Sequence, residues 1–241
     1  MADQISLFPV DIAYEEKFTG RTAHLKLFGD AITKERYAIK TVHDHPLLPI
    51  TELFCYQLCS QVGIPTPGFA IVRRPNGELA FGSRVDTDTR LVGQDIAAHG
   101  ILIVQAMAQD LSAMYALDWF LPNRDRHANN ILYRKTHQGN LIPLAFDWSM
   151  VSSLSTPAFS QWPWATLCNS AKMCAVIKQF GWWDYSKERE LRDRIRAVSP
   201  DVVRAILQGA PDAWKPQTLS IDDIINWWGQ NASSRAQVSV S

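Results

Sequence analysis

The chain has no excess charge of either sign. Its 24 Lys plus Arg residues are matched by 24 Asp plus Glu, so no global basic field exists to hold nucleic acid or an anionic membrane. Long apolar runs are missing too. No window approaches the roughly 18 residues of a membrane span, and Met1-Ala2-Asp3-Gln4 lacks the basic region and apolar core of a signal peptide. A soluble, cytoplasmic protein without a membrane or direct nucleic-acid partner is expected. Cysteine is sparse, limited to Cys55, Cys59, Cys168 and Cys174. Neither pair has zinc-finger spacing, and no metal-ligand arrangement links them to His43-Asp44-His45. Cys55 and Cys59, four apart in a helical pattern, read as small buried hydrophobes. Internal repeats are absent. What the chain does have is apolar mass, with 46% hydrophobic residues among 241, enough for one large core or two small lobes. It also has nine tryptophans. Most fall late (Trp162, Trp164, Trp182, Trp183, Trp214, Trp227, Trp228), which predicts heavy aromatic packing or a recognition groove.

The pattern changes character near residues 83–89. Before it, Thr22 to Phe28 alternates, Gly29-Asp30 reads as a turn, and Arg36 to Val42 forms another extended run. Thr51 is the expected N-cap of a helix carrying Leu53, Phe54, Leu58 and Val62, stopped by Gly63 and Pro65. Phe69 to Val72 and Leu79 to Gly82 flank a Pro75-Asn76-Gly77 turn. After it, Met107, Leu111, Met114, Leu117 and Leu121 mark one face of a long helix over 104–121. A hairpin around Gln138-Gly139-Asn140 follows, then amphipathic runs near 166–180, 187–197 and 200–208. The expected architecture is α+β and bilobal. A strand-rich N-lobe with one helix spans 1–86, a mainly helical C-lobe spans 87–230, and 231–241 is a flexible tail.

The chemistry concentrates around Asn123-Arg124-Asp125-Arg126-His127-Ala128-Asn129-Asn130. This polar stretch sets Asp125 and Asn130 five positions apart, and a hairpin then leads to Asp147 after Leu144-Ala145-Phe146. One carboxylate to receive a hydroxyl proton, with an amide oxygen and a second carboxylate to hold magnesium, is what phosphoryl transfer from ATP requires. The Asp-x-x-x-x-Asn spacing is that of a kinase catalytic loop. Upstream, Tyr37-Ala38-Ile39-Lys40 matches three of four positions of the kinase strand that presents a triphosphate lysine, and Glu52 is its candidate partner. Asp125 is then the catalytic base, Asn130 and Asp147 are the Mg2+ ligands, and His127 braces the loop. Thr19, Gly20 and Thr22, in the turn between the first two strands, are candidates to cradle phosphate oxygens, although one glycine there is few and no Walker motif follows. Taken singly, these residues also read as a surface lysine, a first-turn Glu, an Asx-turn and a strand-end cap.

The segment from Leu117 to Leu132 resembles the catalytic segment of HipA-like kinases, itself akin to the Asp-Arg-His-x-x-Asn loop of phosphoinositide kinases. Val62-Gly63-Ile64-Pro65-Thr66-Pro67 resembles a segment of the smaller HipA-like proteins, so the likeness runs from Lys40 to Asp147. It implies a bilobal protein-kinase-like fold, ATP and Mg2+ as cofactors, a serine/threonine protein substrate, a possible toxin role and an antitoxin-like protein partner. Trp148-Ser149 stands where classical kinases have Phe-Gly, and the chain is shorter than full-length HipA proteins. Two other readings stay open: a kinase for a small molecule or lipid headgroup, and a kinase-shaped partner-binding module.

Overall fold

The computed structural model describes residues 8–19, 26–155, 157–160 and 162–240. Strands β1 (Val10–Lys17), β2 (Leu27–Ala31) and β3 (Arg36–Lys40) pair antiparallel in succession. Strand β3 then pairs with β5 (Leu79–Arg84), which pairs with β4 (Phe69–Arg73). A short parallel contact, Val10 opposite Val72, brings β1 against β4. Ile12, Tyr37, Ile39, Val72 and Ala80 form a small core inside this sheet. Gly29 and Asp30, expected as a turn, lie within β2 instead. A Cβ at Gly29 would fall 2.5 Å from the Ile39 side chain and 2.8 Å from that of Ile12, so this glycine makes room for the small core. The chain turns just afterwards, where Lys34 has φ 76°.

Successive strand residues face opposite sides. With Ile39 in the small core, Lys40 faces the helix α1 (Leu48–Val62), where its side chain meets Glu52. Helix α1 begins with Pro49 in its first turn and ends at Gly63, whose φ of 75° only glycine adopts freely. Thr51 is not its N-cap, because helix geometry starts three residues earlier and buries Thr51. Glu52 correspondingly sits beyond the first turn, fully buried.

A second sheet orders β6 (Thr89–Leu91), β7 (Ile131–Lys135) and β8 (Leu141–Ala145). The helix expected over 104–121 is two, α3 (Leu102–Ala106) and α4 (Ala108–Phe120), broken at Met107; before them runs α2 (Val92–His99). Four helices follow: α5 (Asn169–Gln179), α6 (Tyr185–Ala197), α7 (Pro200–Gln208) and α8 (Ile221–Ala236). Asp184, Ser199 and Ser220 cap the last three with side-chain acceptors. The main core runs from α1 through α4 to α8. The late tryptophans pack in it: Trp164, Trp183, Trp214 and Trp228 are buried, and Trp227 stacks on Phe159 with centroids 3.8 Å apart.

The expected flexible tail over 231–241 is helical through Ala236, with Ala232, Arg235 and Val240 buried. Its small, polar composition hides three contacts made across the fold. Val240 N–H donates to Glu188 at 3.0 Å, the Val240 carbonyl accepts from Lys178 at 2.5 Å, and Arg235 lies against Phe120, Phe159, Trp162 and Trp227. Among the described residues no helix is long and apolar enough to cross a membrane.

Candidate functional site

Two consecutive elements and a third about a hundred residues later deliver one ionic trio, two of its members buried. Strand β3 brings Lys40, α1 brings Glu52, and the end of β8 brings Asp147. Lys40 Nζ donates to Glu52 Oε1 and, at 2.7 Å, to Asp147 Oδ1. Glu52 Oε1 also accepts from Trp148 N–H at 2.8 Å, which ties the helix to the residue following Asp147. Asp147 sits at φ 59°, a left-handed conformation that Asp tolerates better than most residues. That turn sends Trp148 into the core, fully buried, while Asp147 keeps partial exposure.

Burial alone would lower the Lys40 pKa, but the two carboxylates outweigh it and raise the value, Asp147 contributing most. Burial alone would raise that of Asp147, but the Lys40 ammonium overrides it and holds this carboxyl well below the usual carboxylate range. For Glu52 burial wins, and its pKa is raised. The ammonium therefore stays protonated at neutral pH, and Asp147 stays ionised.

The loop after α4 is organised by a buried arginine. Arg126 forms a two-pronged pair with Asp118 of α4, Nε to Oδ2 at 2.9 Å and Nη2 to Oδ1 at 3.1 Å, both side chains fully buried. Its Nη1 reaches the Asn130 carbonyl at 2.7 Å and also the Phe146 carbonyl. Its face lies on the Trp148 ring, 4.3 Å from the centroid. One guanidinium thus fixes the loop end carrying Asn130 relative to the residue before Asp147. Asn123 adds a bond to Asp118 at 2.7 Å and accepts from Asp125 N–H at 3.3 Å. Gly93, at the start of α2, lets the loop come close, because a Cβ there would fall 1.9 Å from Asn129 Oδ1.

On this frame Asn130 donates Nδ2–H to the Asp125 carbonyl at 2.8 Å, which leaves its amide oxygen available. Asp125 accepts from Asn169 Nδ2 at 2.6 Å. His127 Nδ1 accepts from Asn129 N–H at 3.1 Å, and His127 Nε2 stands 3.8 Å from Asp125 Oδ2, too far for a hydrogen bond. His127 therefore shapes the turn. Beside Asp125 lies an open concavity of about 420 Å³ walled by Arg124, Met150, Ala165, Leu167, Cys168 and Asn169.

The expected site residues thus fall into two adjoining groups: Lys40, Glu52 and Asp147 in the trio, and Asp125, His127 and Asn130 on the loop. Thr19 is exposed, and Gly20 and Thr22 lie outside the described residues. Asp118, Arg126, Trp148 and Asn169 were not foreseen. A lone Asp inside the apolar run Leu117 to Leu121 was a readable sign that α4 buries an acid needing a partner. Among the described residues no group of three or more His, Cys, Asp or Glu is arranged to hold a metal. The Asn130 amide oxygen and Asp147 fit a sparser cation, since magnesium takes one or two protein ligands and completes its shell with water and phosphate oxygens. Asp147 Oδ1 accepts from Lys40 and from Ser149 N–H, the Ser149 hydroxyl also bonds to this carboxylate, and Glu52 Oε2 is buried with no hydrogen-bond partner among the described residues.

Among solved structures, the chain is similar to HipA of the Shewanella oneidensis MR-1 toxin–antitoxin system, determined with HipB and its operator DNA. The two share 14% identity with a TM-score of 0.50, over 97% of this chain and 64% of that one. The chain thus spans 64% of the length of that HipA. It is also similar to the Helicobacter pylori proinflammatory kinase CtkA, at 14% identity and a TM-score of 0.46 over 96% and 98% of the two chains. No family model matches, and no curated protein sequence does. At this identity the likeness is one of fold, and the fold is HipA-like.

Proposed function

We propose that the chain is an ATP- and magnesium-dependent kinase transferring the γ-phosphate to a protein serine or threonine. The observation that carries the reading is the convergence of Lys40, Glu52 and Asp147, separated by up to 107 positions, beside a loop that Arg126 pins to the same place. A structural salt bridge needs no such neighbourhood. Phosphoryl transfer does, because its catalysis is mostly positioning and charge compensation. Lys40, rigid on Glu52, faces the triphosphate. Asn130 and Asp147 hold magnesium, which when bound offsets phosphate charge. Asp125 takes the proton of the acceptor hydroxyl, which approaches through the concavity walled by Met150 and Leu167. The HipA-like fold supports the reading. Since that HipA was determined with HipB, an antitoxin-like protein partner is part of the proposal.

The test is transfer of labelled γ-phosphate from ATP with magnesium into bacterial lysate protein. Wild type should label a protein band. Asp125→Ala should retain nucleotide binding and lose transfer, and Asp147→Ala should lose magnesium-dependent binding itself. Nucleotide binding by wild type without any labelled protein would move the acceptor to a small molecule or lipid headgroup, or the chain to a binding role. Equal binding and transfer in both variants would remove the site assignment.

A further inference from the structure

Asp125 is held from a part of the chain that no kinase motif includes. Asn169, the first residue of α5, donates its Nδ2–H to Asp125 Oδ1 at 2.6 Å. Its neighbour Ser170, buried, grips the same loop twice, donating Oγ–H to the Asn123 carbonyl at 2.7 Å and accepting from Arg126 N–H at 2.8 Å. Ser170 N–H adds a bond to the Arg124 carbonyl at 3.3 Å. The start of α5 thus clasps 123–126, and only Asn169 touches the carboxylate. We infer that Asn169 is a positioning residue for Asp125, holding one carboxylate oxygen so that the other faces the acceptor. This rests on the kinase reading above.

In the transfer step the acceptor oxygen bonds to the γ-phosphorus as the bond from phosphorus to the β,γ-bridging oxygen breaks. That electron pair leaves with ADP, and the hydroxyl proton passes to Asp125 Oδ2. Among the described residues its neighbour on that side is His127 Nε2 at 3.8 Å, beyond hydrogen-bond reach. With Oδ1 fixed by Asn169, a carboxylate that would otherwise rotate about its terminal bond presents one oxygen in one place.

The geometry gives a substitution that separates positioning from mere support of the helix. Asp at the first position of a helix is favoured by the helix dipole. If Asn169 only starts α5, Asn169→Asp is harmless or stabilising. If it positions Asp125, the same change replaces a donor by a carboxylate facing a carboxylate. Wild type, Asn169→Asp, Asn169→Gln, which keeps the amide donor on a longer arm, and Asp125→Ala would be compared as full chains. Initial rates are read as transfer of labelled γ-phosphate from ATP with magnesium into bacterial lysate protein, alongside unfolding midpoints. The expected result for Asn169→Asp is a kcat about 100-fold lower with an unchanged KM for ATP and an unfolding midpoint no lower than wild type. Asn169→Gln, with an amide that can still reach Asp125 Oδ1, should recover part of that loss. Wild-type kcat in Asn169→Asp, with Asp125→Ala inactive, overturns the inference and leaves the kinase reading standing, as does a kcat loss matched by a falling midpoint. Wild type that labels no protein, or Asp125→Ala as active as wild type, overturns the protein-kinase reading and this role with it.

Discussion

A guanidinium sealed from water must find protein partners for its donors, since each one left unbonded carries a desolvation cost. Arg126, with no exposed surface, meets this demand with Asp118, two backbone carbonyls and the Trp148 face. Burial pushes the Asp118 pKa up, and the guanidinium opposes that, so the acid relies on this partner to stay charged. Arg126→Met should therefore destabilise the fold by about 3–5 kcal/mol, the usual result of stranding one member of a buried pair. Arg126→Lys should recover only part, because an ammonium has no planar fork to span Asp118 and the carbonyls. Urea titrations of the three proteins would measure it, and a loss below about 1 kcal/mol would show that the pair is not what holds the loop. At this scale the sequence was legible where chemistry restricts both residue type and spacing. Lys40, Asp125, Asn130 and Asp147 stand out as candidates for that reason, and the structure brings them into two adjoining groups. Asn169 could not, because its bond to Asp125 crosses 44 positions and an Asn beginning a helix is unremarkable on its own.

Elements were readable to the extent that their periodicity came from burial on one side. The β4–β5 and β7–β8 hairpins and helices α5, α6 and α7 stand close to where alternation or helical spacing places them. Helix α1 hid its start, because 12 of its 15 residues are buried and a helix with little polar face offers no edge from which to count. Strand β6 is only three residues long and α2 follows it at once, so neither period repeats enough to show. That small unit nevertheless bears on the site through Gly93. Gly93→Ala should push Asn129 aside and disturb the turn before Asn130. The expected outcome is a loss of no more than about 1 kcal/mol, because the obstructing amide is the end of an exposed side chain, with weaker magnesium-dependent nucleotide binding. Adding Asn129→Ala removes the obstructing amide and should restore both. Denaturant titration and nucleotide binding on the single and double variants would check this, and the absence of rescue would place the strain elsewhere.

For the molecule as a whole, composition and texture already separated a strand-rich beginning from a helix-rich remainder, and the structure has that mixed α/β arrangement. What texture missed is how the chain's far parts meet. Residues 231–240 are tied to Glu188 and Lys178, and α1 belongs to the same core as α4 to α8 although it lies amid the N-terminal strands. It packs against β5, α6 and α7, and Trp228 meets Phe54 edge-on at 6.3 Å. Swinging such a helix outward would bare Ile50, Leu53, Phe54, Leu58 and Val62 together, each worth about 1.5–3 kcal/mol of burial. The backbone amides of α1 should then rank among the slowest in the protein to exchange hydrogen, with or without nucleotide; fast exchange there would contradict it. The Lys40–Glu52 bond is consequently a fixture and not a switch. Under the proposed kinase function, a regulator would then have no helix to tilt, and control would fall to whatever admits or blocks the acceptor at Asp125.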